Sequence, residues 1–181
     1  MNSTKKKNRN TLFLLFGAFI IPVVIAKLVL SMDWYQGSAT NKGELLPESL
    51  SYQTLAMDNP RPHKWQMIYL LPDNCDTHCQ QQLYLLHQTH TALGREQDRV
   101  APVILLQKNS DKQALKPFSF TTAPASSAIH SELAKQQIII VDPMGKLVTR
   151  YPLQQQQQQL LLQGKAMMND LRKMLKMSRI G

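Results

Sequence analysis

The sequence holds only two cysteines in 181 residues, too few for a disulfide-dense miniprotein or a four-thiolate zinc site. It offers no legible phosphate-binding loop, no paired-carboxylate site and no Ser/His/Asp set. Charged residues make up 18% and hydrophobic ones 43%, too apolar for a disordered chain and ordinary for a folded one. Such a length has room for one domain of about 100 to 150 residues plus an appendage. What the middle of the chain lacks is net charge. The formal total is +9, yet residues 33–164 hold equal numbers of cations and anions. The excess lies in Lys5, Lys6, Lys7 and Arg9 at one end and in Lys165, Arg172, Lys173, Lys176 and Arg179 at the other. A nucleic-acid protein spreads cations over its folded face, so nucleic acid is not an expected partner.

Between Leu12 and Leu30 the only charge is Lys27. A helix of that length, rising about 1.5 Å per residue, spans about 30 Å, the thickness of a bilayer's hydrocarbon core. Gly17 and Pro22 are tolerated in membrane helices, and Lys27 lies near enough to the far end to snorkel to the headgroups. Four cations precede the run, so the positive-inside bias keeps the first residues in the cytoplasm and exports the rest. A cleaved signal peptide is the competing reading. It wants an apolar region of about 7–15 residues and a small-x-small cleavage site, and Ser31-Met32-Asp33 is a poor match. The expected organisation is a cytoplasmic basic tail over 1–10, a transmembrane anchor over 11–32, a linker over 33–60 and a periplasmic domain over 61–181. The expected location is a bacterial inner membrane, crossed once.

The exported part reads as α/β. Lys64 to Leu71 is a short apolar run closed by Pro72, as for a buried strand. From Asp76 to Leu93 there is neither Gly nor Pro; Leu83, Leu86, His90 and Leu93 recur at helical spacing, and Gly94 is a natural stop. Val100 to Leu106 is a second strand, with Pro102 suggesting an edge or bulge near its start. Asn109 to Ser127 reads mostly as loop, and Ser131 to Gln136 as a short helix. Ile138 to Val141 is a third strand, and the Asp142-Pro143-Met144-Gly145 turn leads to a hairpin partner over Lys146 to Tyr151. The six glutamines Gln154 to Gln159 read as a loop or frayed helix start. Ala166 to Met177 is an amphipathic last helix whose Met167, Met168, Leu171, Met174 and Leu175 read as core packing rather than as copper ligands. Strands alternating with helices imply parallel pairing, and the hairpin adds an antiparallel edge. The expected fold is a mixed, four-stranded sheet with flanking helices, the thioredoxin layout.

Cys75 and Cys79 stand where the first strand gives way to its helix, in PDNCDTHCQ. Helix N-terminal amides and the helix dipole stabilise a thiolate there, and residues i and i+4 share one helix face. Soft thiolates select Cu(I), which accepts two or three ligands, so the pair and one imidazole make a complete site. Two other uses remain open: a dithiol–disulfide couple acting catalytically through Cys75 and Cys79, or a structural bridge closed by an oxidising compartment. For the imidazole, His130 is the expected ligand, in a loop able to fold back over the cysteine turn. His78 is sequence-adjacent and able to bind, but points away from the pair if the helix has already begun between the cysteines. His87 and His90 are expected to be surface or core histidines and His63 to be solvated.

Several stretches carry a resemblance. They are Gly43-Glu44-Leu45-Leu46-Pro47, Cys75-Asp76 to Cys79, Leu83, Ala92-Leu93-Gly94 and Asp98-Arg99-Val100, then Val141 to Gly145, Arg150-Tyr151-Pro152 and the tail from Asp170-Leu171 to Gly181. In these the chain resembles the membrane-anchored thioredoxin-like proteins of gammaproteobacterial cytochrome c oxidase assembly genes, themselves similar to the Sco/SenC copper chaperones. The resemblance implies a thioredoxin-like fold and a role in maturing the oxidase's copper centres, with an oxidase subunit or another copper chaperone as partner. It implies Cu(I) ligation by Cys75, Cys79 and His130. Sco proteins usually place a proline directly after the second cysteine, where Gln80 stands here. Thioredoxin-like reductases place a cis-proline before the strand opposite the cysteines, and no proline lies between Ala125 and Val141.

Overall fold

A computed structural model describes residues 14–25, 27–28, 42–133, 136–154 and 156–180. The chain divides into two units, Met1–Thr40 and Asn41–Gly181. In the first, residues 14–25 and 27–28 are helical, and the large apolar side chains are exposed on every side, among them Leu14, Phe16, Phe19 and Val23. No helix among the described residues is long and apolar enough to cross a membrane. The rest of the expected anchor, residues 11–13, 26 and 29–32, lies outside the described residues.

The second unit is built on a mixed sheet of six strands rather than the expected four. They are β1 (Glu44–Leu45), β2 (Trp65–Leu71), β3 (Val100–Leu106), β4 (Thr121–Pro124), β5 (Ile138–Val141) and β6 (Leu147–Tyr151), in the order β1-β6-β5-β2-β3-β4. Parallel pairing joins β2, β3 and β4, while β5, β6 and β1 run antiparallel to their neighbours. Helices α1 (Thr77–Ala92), α2 (Ser127–Leu133) and α3 (Gln157–Met177) flank it.

Strand alternation sorts the core into two halves. Met67, Tyr69 and Leu71 of β2 face one half, with Cys75, Cys79, Leu83 and Leu86 of the α1 region and Met167, Leu171 and Met174 of α3. Ile68 and Leu70 face the other, with Ile129 and Leu133 of α2 and with Tyr52 and Leu55. So α1 and α3 cover one face, and α2 covers the other. The two buried methionines of α3 are core, as their spacing implied.

Both added strands come from segments expected to be irregular. Residues 42–60, expected as linker, belong to the folded unit: β1 pairs with β6, and Tyr52 is 2% exposed. Gly43 is there because a Cβ at that position would overlap Thr149 and the Tyr151 ring. Thr121–Pro124, expected as loop, pairs with the second half of β3 from Val103 to Leu106. Pro102 precedes that pairing, so its missing N–H costs no bond to β4. The last helix begins at Gln157, well before Ala166. Half of the glutamine run is helical because α3 docks on α1, closely enough that a Cβ on Gly164 would meet Leu85 Cδ1.

Three phenols are buried in this unit. Burial raises the pKa of Tyr52, Tyr69 and Tyr151; the charge of Asp76 adds to the effect at Tyr69, and the hydrogen bond to Asp170 adds to it at Tyr151. A folded-state pKa above the unfolded value gives stability that is whole below about pH 10 and is lost as pH rises beyond it. The melting temperature is therefore expected to fall from about pH 10 upward. A flat profile to about pH 11.5 would contradict the burial of these hydroxyls.

Candidate functional site

Strand β2 ends at Leu71, Pro72 turns the chain, and Cys75 follows just before α1. Asp76 is the N-cap: its backbone is extended, and its Oδ1 accepts the Cys79 N–H at 2.9 Å. This satisfies one of the amides that a helix start leaves unpaired. The loop after β3 holds the turn from the other side. Ser110 Oγ donates to the Leu71 carbonyl at 2.6 Å, the Asp111 N–H donates to the Pro72 carbonyl, and Asp111 Oδ2 accepts the Cys75 N–H at 3.4 Å. Sequence reading missed Ser110 and Asp111. Their turn-forming character was visible, but their place beside the cysteines was not.

The structure brings Cys75 and Cys79 together. They are joined by a disulfide, with Cα atoms 5.2 Å apart. Cys79 is fully buried and Cys75 is 7% exposed, so any exchange or metal transfer starts at Cys75. The groups bonded to the two cysteine amides are both carboxylates.

His130 is not brought to the pair. It is exposed on α2, and its neighbours Ile129 and Leu133 pack on the sheet face opposite the cysteines. Among the described residues, no group of three or more His, Cys, Asp or Glu is arranged to hold a metal ion. His87 lies against the rings of Phe118 and Phe120, and His90 Nε2 sits 2.9 Å from the Val100 carbonyl. His63 is exposed. His78 Nδ1 is buried and has no hydrogen-bond partner, so it is bonded to neither sulfur.

The site is a mixed sheet with a bridged cysteine pair at a strand-to-helix junction. The profile of a family described as "Transmembrane-like, thioredoxin-like, C-terminal domain" matches residues 65–178. That is more than half of the chain, and the chain belongs to this family. Among solved structures it is similar to apo Sco1 from Thermus thermophilus, at 14% identity and a TM-score of 0.51, covering 76% of this chain and 99% of that one. It is similar also to yeast Sco1, at 15% identity and a TM-score of 0.50, covering 79% and 97%. Yeast Sco1 with copper bound is a further match, at 16% identity and a TM-score of 0.48, covering 65% and 81%. The family and the likeness to the first two of these structures establish the fold, a thioredoxin-like sheet with flanking helices. No curated protein matches.

Proposed function

We propose that this chain is a membrane-tethered periplasmic assembly factor for cytochrome c oxidase that takes up Cu(I) as cargo through Cys75 and Cys79 and passes it on. The observation that carries this reading is the setting of the pair. Two sulfurs converge at a helix start where the adjoining hydrogen-bonding groups are carboxylates, surroundings that suit a cation better than a free thiolate. The resemblance of the Cys75–Cys79, Val141–Gly145 and C-terminal stretches to oxidase-assembly proteins supplies the client. His130 has no part in the proposed site, because α2 carries it on the other face.

The tether reading is supported by the first unit, whose helical residues 14–25 are all apolar and exposed or half-buried; such a helix finds its stable surroundings in a bilayer or a core. It predicts that the full chain stays with the membrane fraction through alkaline carbonate extraction; release into the supernatant would exclude an integral anchor.

The copper reading is tested by titrating Cu(I), in competition with a chelator, into the full chain with the disulfide reduced. One equivalent is expected to bind tightly. Absence of uptake would leave thiol–disulfide exchange with an oxidase or chaperone cysteine as the better account, a reading that the bridged cysteines favour. That account predicts a reversible couple less reducing than about −300 mV.

A further inference from the structure

We propose that the solvent-facing side of α3, continued by residues 178–180, is a docking face for a bilayer surface rich in anionic phospholipid. The inference rests on the tether reading above and is independent of copper. Charge on this chain is lopsided. Residues 33–164 carry equal numbers of cations and anions, and the surplus beyond them sits on Lys165, Arg172, Lys173, Lys176 and Arg179. From Gln157 to Ile180 the one acid is Asp170, which is fully buried and engaged with Lys42, Gly43 and Tyr151.

Helical geometry gathers the cations. With Met177 as reference and about 100° per residue, Lys173, Lys176, Lys165 and Arg172 fall roughly 40°, 100°, 120° and 140° to one side of it. The buried residues, among them Met167, Leu171 and Met174, all fall on the other side. The exposed half of α3 therefore presents four cations and no anion. It also carries Met177, 78% exposed, at one margin and Leu161, 63% exposed, at the other. One sign of charge interleaved with large apolar side chains is the pattern of a helix on a membrane surface, with cations at the headgroups and apolar groups at the acyl boundary.

The segment after the helix is held in place. Arg99 donates to the Leu175 carbonyl at 3.1 Å and to the Ser178 carbonyl at 3.0 Å, and Ser178 Oγ accepts the Ile180 N–H at 3.2 Å. Glu96, the acid of this clamp, is paired with Arg99 at 2.7 Å. Arg179 and Ile180 thus stay exposed in a fixed position directly after Lys176 and Met177. Charge complementarity selects the occupant: anionic headgroups offer a continuous negative layer that several cations meet at once. The apolar side chains among those cations favour lipid over an acidic protein surface.

The test uses the full chain, with its disulfide intact, in nanodiscs of phosphatidylcholine alone or mixed with phosphatidylglycerol. An environment-sensitive fluorophore is attached at Met177→Cys and, in a second variant, at Ser131→Cys on α2, which packs on the opposite face of the sheet. On the mixed discs the label at 177 is expected to shift to the blue and to be quenched by a spin-labelled lipid. The response should be lost on phosphatidylcholine alone, in about 1 M salt, where screening acts beyond about 3 Å, and in Lys165→Glu combined with Lys176→Glu. The label at 131 should report water throughout, and the melting temperature of the double variant should match the wild type. A label at 177 that stays in water on the mixed discs overturns the proposal and leaves an acidic protein as the better occupant. A response that is equal on both discs, or that survives salt or the double variant, overturns it as well. The tether fails separately, in carbonate extraction. A chain released there that still floats with phosphatidylglycerol vesicles, and not with phosphatidylcholine ones, keeps the docking face without the anchor; one that floats with neither loses both.

Discussion

Cys79→Ala is expected to abolish one-to-one Cu(I) uptake by the reduced chain, with affinity lower by at least about a hundredfold. The reason is ligand count. Removing Cys79 leaves a single thiolate, which cannot supply the linear or trigonal soft site that Cu(I) prefers. Alanine is the better choice here because Cys79 is fully buried among Leu83 and its neighbours, where a serine hydroxyl would add an unpaired polar group. The same substitution removes the disulfide. For a loop this short the bridge contributes about 2 kcal/mol to stability. The two effects separate cleanly, because reduced wild type has also lost the bridge. Against that reference the stability difference should shrink while the difference in copper uptake remains. Cys75→Ser should behave alike in metal binding. If both single variants bind Cu(I) as tightly as the wild type, the pair is not the site.

Asp170→Ala is expected to destabilise the second unit by about 3–5 kcal/mol and to lower its melting temperature by about 10 °C or more. Asp170 is fully buried in α3. Its Oδ2 accepts the Lys42 N–H at 2.8 Å, the Gly43 N–H at 3.0 Å and the Tyr151 hydroxyl at 2.7 Å. One carboxylate thus ties the last helix to the residues leading into β1 and to the end of β6. Alanine would leave three donors without their acceptor, each at a desolvation cost. The Glu44–Arg150 ion pair also joins β1 to β6, but it is exposed, and such pairs contribute only about 0–1 kcal/mol. It does not compensate. The readout is thermal melting together with amide exchange at Lys42 and Gly43, which should accelerate. Cu(I) affinity should not change, since no cysteine contacts this cluster. A shift under about 2 °C would mean that β1 is held by something else.

The elements that bury a regular pattern were legible in the sequence. β2 is apolar along nearly its whole length because it is the central strand and both its faces are covered, so Trp65 to Leu71 stood out. The α1 segment lacked breakers between Asp76 and Leu93, and the turn at Asp142–Gly145 announced its hairpin. β4 was hidden for a physical reason. Thr121-Thr122-Ala123-Pro124 has little strand character of its own, and it becomes a strand because the open edge of β3 offers a ladder to pair with. β1 is only two residues long and polar at one of them; pairing with β6 and the Asp170 carboxylate make it part of the sheet. The early start of α3 was illegible for the same kind of reason, since glutamines at Gln157 to Gln159 gain helical structure from docking on α1.

The cysteine pair itself was readable, because the four-residue spacing at a strand-to-helix junction brings two sulfurs together through local geometry alone. The histidine question was not. His130 stood in a stretch whose face could not be known until the sheet was assembled, and α2 packs on the side away from α1. Composition and periodicity thus determined the apolar N-terminal run, the mixed α/β character and the CxxxC, each a property of neighbours along the chain. Tertiary structure alone decided which residues brace the cysteine turn through its backbone, namely Asp111 and Ser110 from a loop about thirty-five residues away. It also decided on which face His130 lies, since that depends on layers that meet only after the strands pair.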